Sequence, residues 1–163
     1  MRPELQRLFD DLSATRAKIA LVKETDRVAT NGWTVAQVMD HLGLVHDETL
    51  PRFEIALAGA PPRRGPDPVR TSILERQIVK TMGGDGFKIP VPKMFEPGFS
   101  GPEAKSACLQ SIDAVLDLIR RADERALAGV RVASPVNARL RLGFLPYLEG
   151  IVSHARYHAG QIP

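Results

Sequence analysis

A chain of 163 residues, 44% hydrophobic and 25% charged, has the size of one ordinary domain and the composition of a folded one, which excludes a multidomain enzyme, a disordered chain and a low-complexity chain. Its 22 Lys and Arg against 19 Asp and Glu leave a net charge of +3. The basic residues fall in short clusters interleaved with acids, so the charge reads as a solvated surface and not as a nucleic-acid footprint. Cys108 is the only cysteine, which rules out an intrachain disulfide and a thiolate metal cage. No apolar run approaches the ~20 residues of a membrane span, and Met1-Arg2-Pro3-Glu4 lacks the apolar stretch of a signal peptide. The expectation is one domain over residues 1–163, cytoplasmic, with neither membrane nor nucleic acid as partner.

Leu5, Leu8, Phe9, Leu12, Ile19 and Val22 recur at spacings of three and four, predicting an amphipathic helix over 4–23. Asn31-Gly32 makes a turn, and Thr34 with Gln37 forms a capping box that starts helix two. Val35, Val38, Leu42, Val45, Phe53 and Leu57 carry it to about Ala58, with Pro51 expected to kink or divide it. Trp33, just before the cap, is placed to fold against the first turn as a hydrophobic staple. Eight of the 13 prolines and seven of the 13 glycines lie between 59 and 102, so regular structure there is confined to pieces such as Ser72–Met82, and the connection serves as a crossover or a lid.

A second capping box, Ser100 with Glu103, opens helix three, which Ala107, Ile112, Val115, Leu116, Ile119 and Ala122 extend to about Leu127. Arg139-Leu140-Arg141-Leu142 alternates like a strand but is too short to build a sheet. Pro146 starts the last helix, with Leu148, Ile151, Val152 and Ile162 as its apolar positions. Four long amphipathic helices predict an all-α fold, a four-helix bundle with a long Pro/Gly-rich crossover between helices two and three. Cys108, among Ala107, Leu109 and Ile112, reads as an inert buried thiol.

Three of the four histidines are read as carrying the chemistry. His154 and His158 stand four apart on the last helix, so their side chains lie one turn apart on one face and can bind one ion. They run with Tyr147, Ile151 and Ile162, the stripe that should face the core. His41, among Val38, Met39 and Leu42 on helix two, is the natural third ligand. His46 lies five residues on, about 140° around the helix, and reads as a surface or otherwise satisfied histidine outside the set.

Gly32-Trp33-Thr34-Val-Ala-Gln-Val-Met-Asp-His41-Leu42, followed by Glu48, together with Ser153-His154-Ala-Arg-Tyr-His158-Ala-Gly-Gln161-Ile162, resembles the DinB/YfiT-like superfamily of metalloenzymes in order and spacing. The resemblance implies an up-down-down-up four-helix bundle holding a divalent metal through His41, His154 and His158. Some members of that superfamily transfer the low-molecular-weight thiols bacillithiol or mycothiol, and some are thiol-dependent isomerases.

Three neutral imidazoles leave a coordination position open, the pattern of a catalytic site, where a water or thiol is activated. Zinc, nickel and iron all suit imidazole nitrogen. Glu48, seven residues after His41, is a candidate general base or else a surface acid. Tyr147 and Gln161, seven residues either side of His154, can bind substrate or cofactor, or satisfy one another. Gly150 gives room beside the metal or a close helix approach, and helix approach is the preferred reading of Gly160. The leading function is metal-dependent transfer of a thiol to an electrophilic small molecule. The alternatives are a metal-dependent hydrolase and a non-enzymatic metal-binding bundle, and a homodimer is expected.

Overall fold

The computed structural model describes residues 1–23, 25, 27–85, 90–98 and 101–163. It is mostly helical, with five helices and one small sheet among these residues. Helix α1 spans Pro3–Leu21, α2 Val35–Ala58, α3 Ile73–Met82, α4 Glu103–Ala122 and α5 Phe144–Gln161. Each of α1 and α2 packs against both α4 and α5, and α3 lies on α5. Leu5, Leu8, Leu12 and Ile19 of α1 are buried with Ile112, Val115 and Ile119 of α4 and Leu148, Ile151 and Val152 of α5, so the predicted apolar stripes do form the core. None of the described helices is long and apolar enough to cross a membrane.

Thr34 caps α2 as the sequence predicts: its hydroxyl accepts from Gln37 N–H at 3.1 Å while the Gln37 side chain accepts from Thr34 N–H at 3.0 Å. The helix runs through Pro51 undivided. Ser72 and Glu75 make a second box at the start of α3. Helix α4 begins at Glu103 after Pro102, with no side-chain cap, and the Ser100 half of its predicted box lies outside the described residues.

One expectation is corrected. The segment after α4 does build a sheet, since Arg131–Ala133 (β1) pairs antiparallel with Arg141–Gly143 (β2), placing Val132 opposite Leu142. Both side chains are buried, and the buried Glu75 carboxylate takes the Gly143 N–H at 2.7 Å and Arg131 at 2.8 Å. The alternation of 139–142 had a partner in 131–133, and burial of one face makes the short pair worthwhile. The connection 59–102 links α2 to α4 and holds its expected helical piece as α3. Its first part is tied to the chain start, where the buried Arg2 guanidinium bonds Asp67 at 2.9 Å and the Arg125 carbonyl at 2.6 Å. Its second part, α3 and a single 3₁₀ turn over Lys93–Phe95, reaches the histidines.

Candidate metal centre

His154 and His158 meet edge to face, with ring centroids 4.5 Å apart, as their one-turn separation on α5 dictates. The His41 ring arrives from α2, with centroids 5.2 Å from His154 and 4.7 Å from His158. One ring nitrogen from each of the three lies within 4.8 Å of the others. The structure therefore brings together the three histidines that the sequence singled out.

Each ring is held from behind. His41 Nδ1 lies 2.7 Å from the Phe95 carbonyl, His154 Nδ1 3.1 Å from the Met82 carbonyl, and His158 Nδ1 2.8 Å from Gln161 Oε1. A carbonyl only accepts, so His41 and His154 carry their protons on Nδ1 and turn bare Nε2 lone pairs inward. Those two Nε2 atoms stand 3.0 Å apart. Two acceptors facing one another at that distance make no hydrogen bond, and a cation between them is what relieves the contact. A tetrahedral ion bound at ~2.1 Å sets its ligand nitrogens ~3.4 Å apart, within the spread found here. The donor set fits a divalent metal.

Electrostatics favours the same form. Burial pushes His41 below the usual histidine range, opposed by its bond to Phe95 and by nearby Asp40. Burial, with repulsion from His41, takes His158 down to about 4, and His154 lies well below its ordinary value through burial and the two neighbouring rings. Neutral imidazole is the ligand form, so no proton has to be displaced for binding at neutral pH.

Trp33 and Tyr157 complete the walls, and the sequence reading placed neither at the site. The Trp33 N–H donates to Asn31 Oδ1 at 3.1 Å and its carbonyl accepts from Ala29 N–H at 2.7 Å. This turn carries the indole 5.2 Å from the His41 ring and stacks it on His158 at 6.4 Å and 11°. The side chain thus reaches past the first turn of α2, where a staple would end. Tyr157 stands 5.0 Å from the His158 ring, over Gly84, whose φ of +85° and lack of a Cβ allow the ring to lie there. On α5, Gly150 admits Met82, whose Sδ would be 2.7 Å from an added Cβ, so this glycine serves a close helix approach. At Gly160 nothing lies within 4 Å of that position, contrary to the expected helix contact.

The remaining candidates are dispersed. Gln161 sits behind His158 as described. Tyr147 is buried and packs its ring 5.1 Å from Phe53, and burial pushes its hydroxyl up to about 12. Glu48 is exposed on α2 and does not join the converging ligand atoms. Cys108 is fully buried and its thiol pushed up to about 12 by that burial, an inert group. His46 is outside the set as expected, yet it is no surface residue. It is 0% exposed, with Nδ1 2.9 Å from Ser111 Oγ. That hydroxyl donates to the Cys108 carbonyl, which makes His46 Nδ1 the donor and leaves Nε2 buried with no partner.

No curated protein and no solved structure matches the chain significantly. The family model of the DinB superfamily matches residues 1–162, and the protein belongs to that superfamily.

Proposed function

We propose that the protein is a metal-dependent enzyme that joins a low-molecular-weight thiol to an electrophilic small molecule, with His41, His154 and His158 holding one divalent ion. The observation that carries this reading is the inward convergence of three neutral ring nitrogens whose outer nitrogens are each bonded to an acceptor. The ion, zinc or nickel before iron, would supply a Lewis acid that keeps a bound thiol as its thiolate near neutral pH. The chain's part is to fix the rings, to keep them neutral with their inner nitrogens bare and, through Trp33 and Tyr157, to wall the site with apolar surface. A hydrolase is the weaker reading because Glu48, its candidate base, faces solvent. The wider proposal includes an up-down-down-up arrangement of α1, α2, α4 and α5, a cytoplasmic location and a homodimer.

Elemental analysis of untagged protein, followed by incubation with mycothiol, bacillithiol, coenzyme A or glutathione and monochlorobimane, tests both halves. Metal near one equivalent and acceleration with one thiol are expected. Metal without acceleration by any of the thiols counts against the transferase, and protein devoid of metal after zinc or nickel loading ends the metalloprotein reading.

A further inference from the structure

Resting on that metal reading, we infer that Gln161 is a positioning residue that selects which nitrogen of His158 carries the proton, and so tunes metal affinity. The three acceptors behind the histidines are not equivalent. Phe95 and Met82 present main-chain carbonyls, which only accept and leave His41 and His154 one tautomer each. Gln161 presents a side-chain amide, which accepts through Oε1 and donates through its NH₂.

With Oε1 turned to His158, as in this structure, Nδ1 carries the proton and the inner Nε2 offers a lone pair to an ion. With the amide rotated by half a turn, its NH₂ donates to Nδ1, the proton moves to Nε2, and His158 becomes a donor toward lone pairs that would otherwise face one another. The first state suits a metal and the second suits its absence. The backbone of Gln161 is held independently of this choice, because its carbonyl accepts from Thr30 N–H at 3.2 Å. The same turn that makes this bond carries Trp33 over the His158 ring. Side-chain replacement therefore leaves the end of α5 anchored.

Two substitutions separate the roles. Gln161→Glu keeps the length and can only accept, which fixes the metal-binding tautomer, whereas Gln161→Met keeps the length and offers no acceptor. Zinc affinity measured by chelator competition should fall roughly 10- to 100-fold in Gln161→Met and hold or rise in Gln161→Glu. Nitrogen-15 NMR of the metal-free protein should show His158 protonated on Nδ1 in Gln161→Glu and a shifted tautomer balance in Gln161→Met. A merely structural glutamine would lower the melting temperature of both variants and leave the tautomer unmoved. If wild type binds zinc and Gln161→Met binds it within twofold as tightly, the role of Gln161 is overturned while the metal reading stands. If wild type binds no zinc, both fall together.

Discussion

His41 and His46 are five residues apart on α2, both buried and both in the neutral form, yet they belong to different kinds of place. His41 faces α5, where its inner lone pair meets those of two other rings and its outer nitrogen is bonded to a carbonyl from the connection. His46 faces α4, where one nitrogen bonds Ser111 and the other meets nothing. Residue type and burial are the same in the two cases, so neither distinguishes a functional histidine from a structural one. What differs is convergence. At His41 several unpaired acceptors point at one spot, an arrangement whose cost a cation removes, whereas at His46 a single unpaired acceptor is a local cost offset by surrounding packing.

The largest effect should come from breaking the convergence. Replacing His41, His154 or His158 by Ala should each weaken zinc or nickel binding by at least about 100-fold, since the loss of one of three ligands leaves two. His46→Leu should leave the stoichiometry and affinity as in wild type. Elemental analysis with competition titration reads both, and loss of metal in His46→Leu would erase the distinction between the two faces.

Acid should sharpen the contrast from the other side. Burial, with repulsion from His41, takes His46 to about 4, so between the ordinary histidine value of ~6.5 and about 4 the unfolded chain binds a proton that the folded chain does not. Stability is therefore full above pH ~6.5 and is lost progressively as pH falls toward 4. The share due to His46 is on the order of 3 kcal/mol. Denaturant unfolding of metal-free protein at pH 7 and pH 4 should show His46→Leu losing that much less than wild type. Equal losses would mean that His46 is accessible to protons in the folded state.

A smaller effect is expected at Ser111. Ser111→Ala removes the acceptor for His46 Nδ1–H and leaves the ring with two unpaired buried nitrogens, at a cost of about 1–3 kcal/mol. Adding His46→Leu to that variant should recover most of the loss, because an apolar pair makes no unmet bond. Thermal unfolding of the single and double variants measures the coupling, and additivity would show that the contact carries no energy of its own.

The sequence by itself determined whatever depends on neighbours along one helix. The 3.6-residue repeat placed the stripes of α1, α2, α4 and α5. Thr34 and Gln37 fixed the start of α2 because a capping box is made within four residues, and His154 and His158 were paired because one turn of helix leaves them no other relation. His41 was legible from the apolar residues around it. The tertiary structure alone decided what came to stand behind and around these rings. Phe95 lies 54 residues from His41, and Met82 lies 72 residues before His154, so no periodicity relates them and only the path of a Pro- and Gly-rich connection delivers their carbonyls. Trp33 was visible as a residue beside a cap, but its partner on α5 was not. His46 looked peripheral by its angle on α2, and the packing of α4 against that face buried it. The hairpin at 131–143 is not legible in the sequence, because alternation shows that a strand has two faces and says nothing of which segment will pair with it. Local geometry is written in adjacent residues by the stereochemistry of the backbone. Contacts between distant segments are set by which faces pack together, and that is a property of the whole chain.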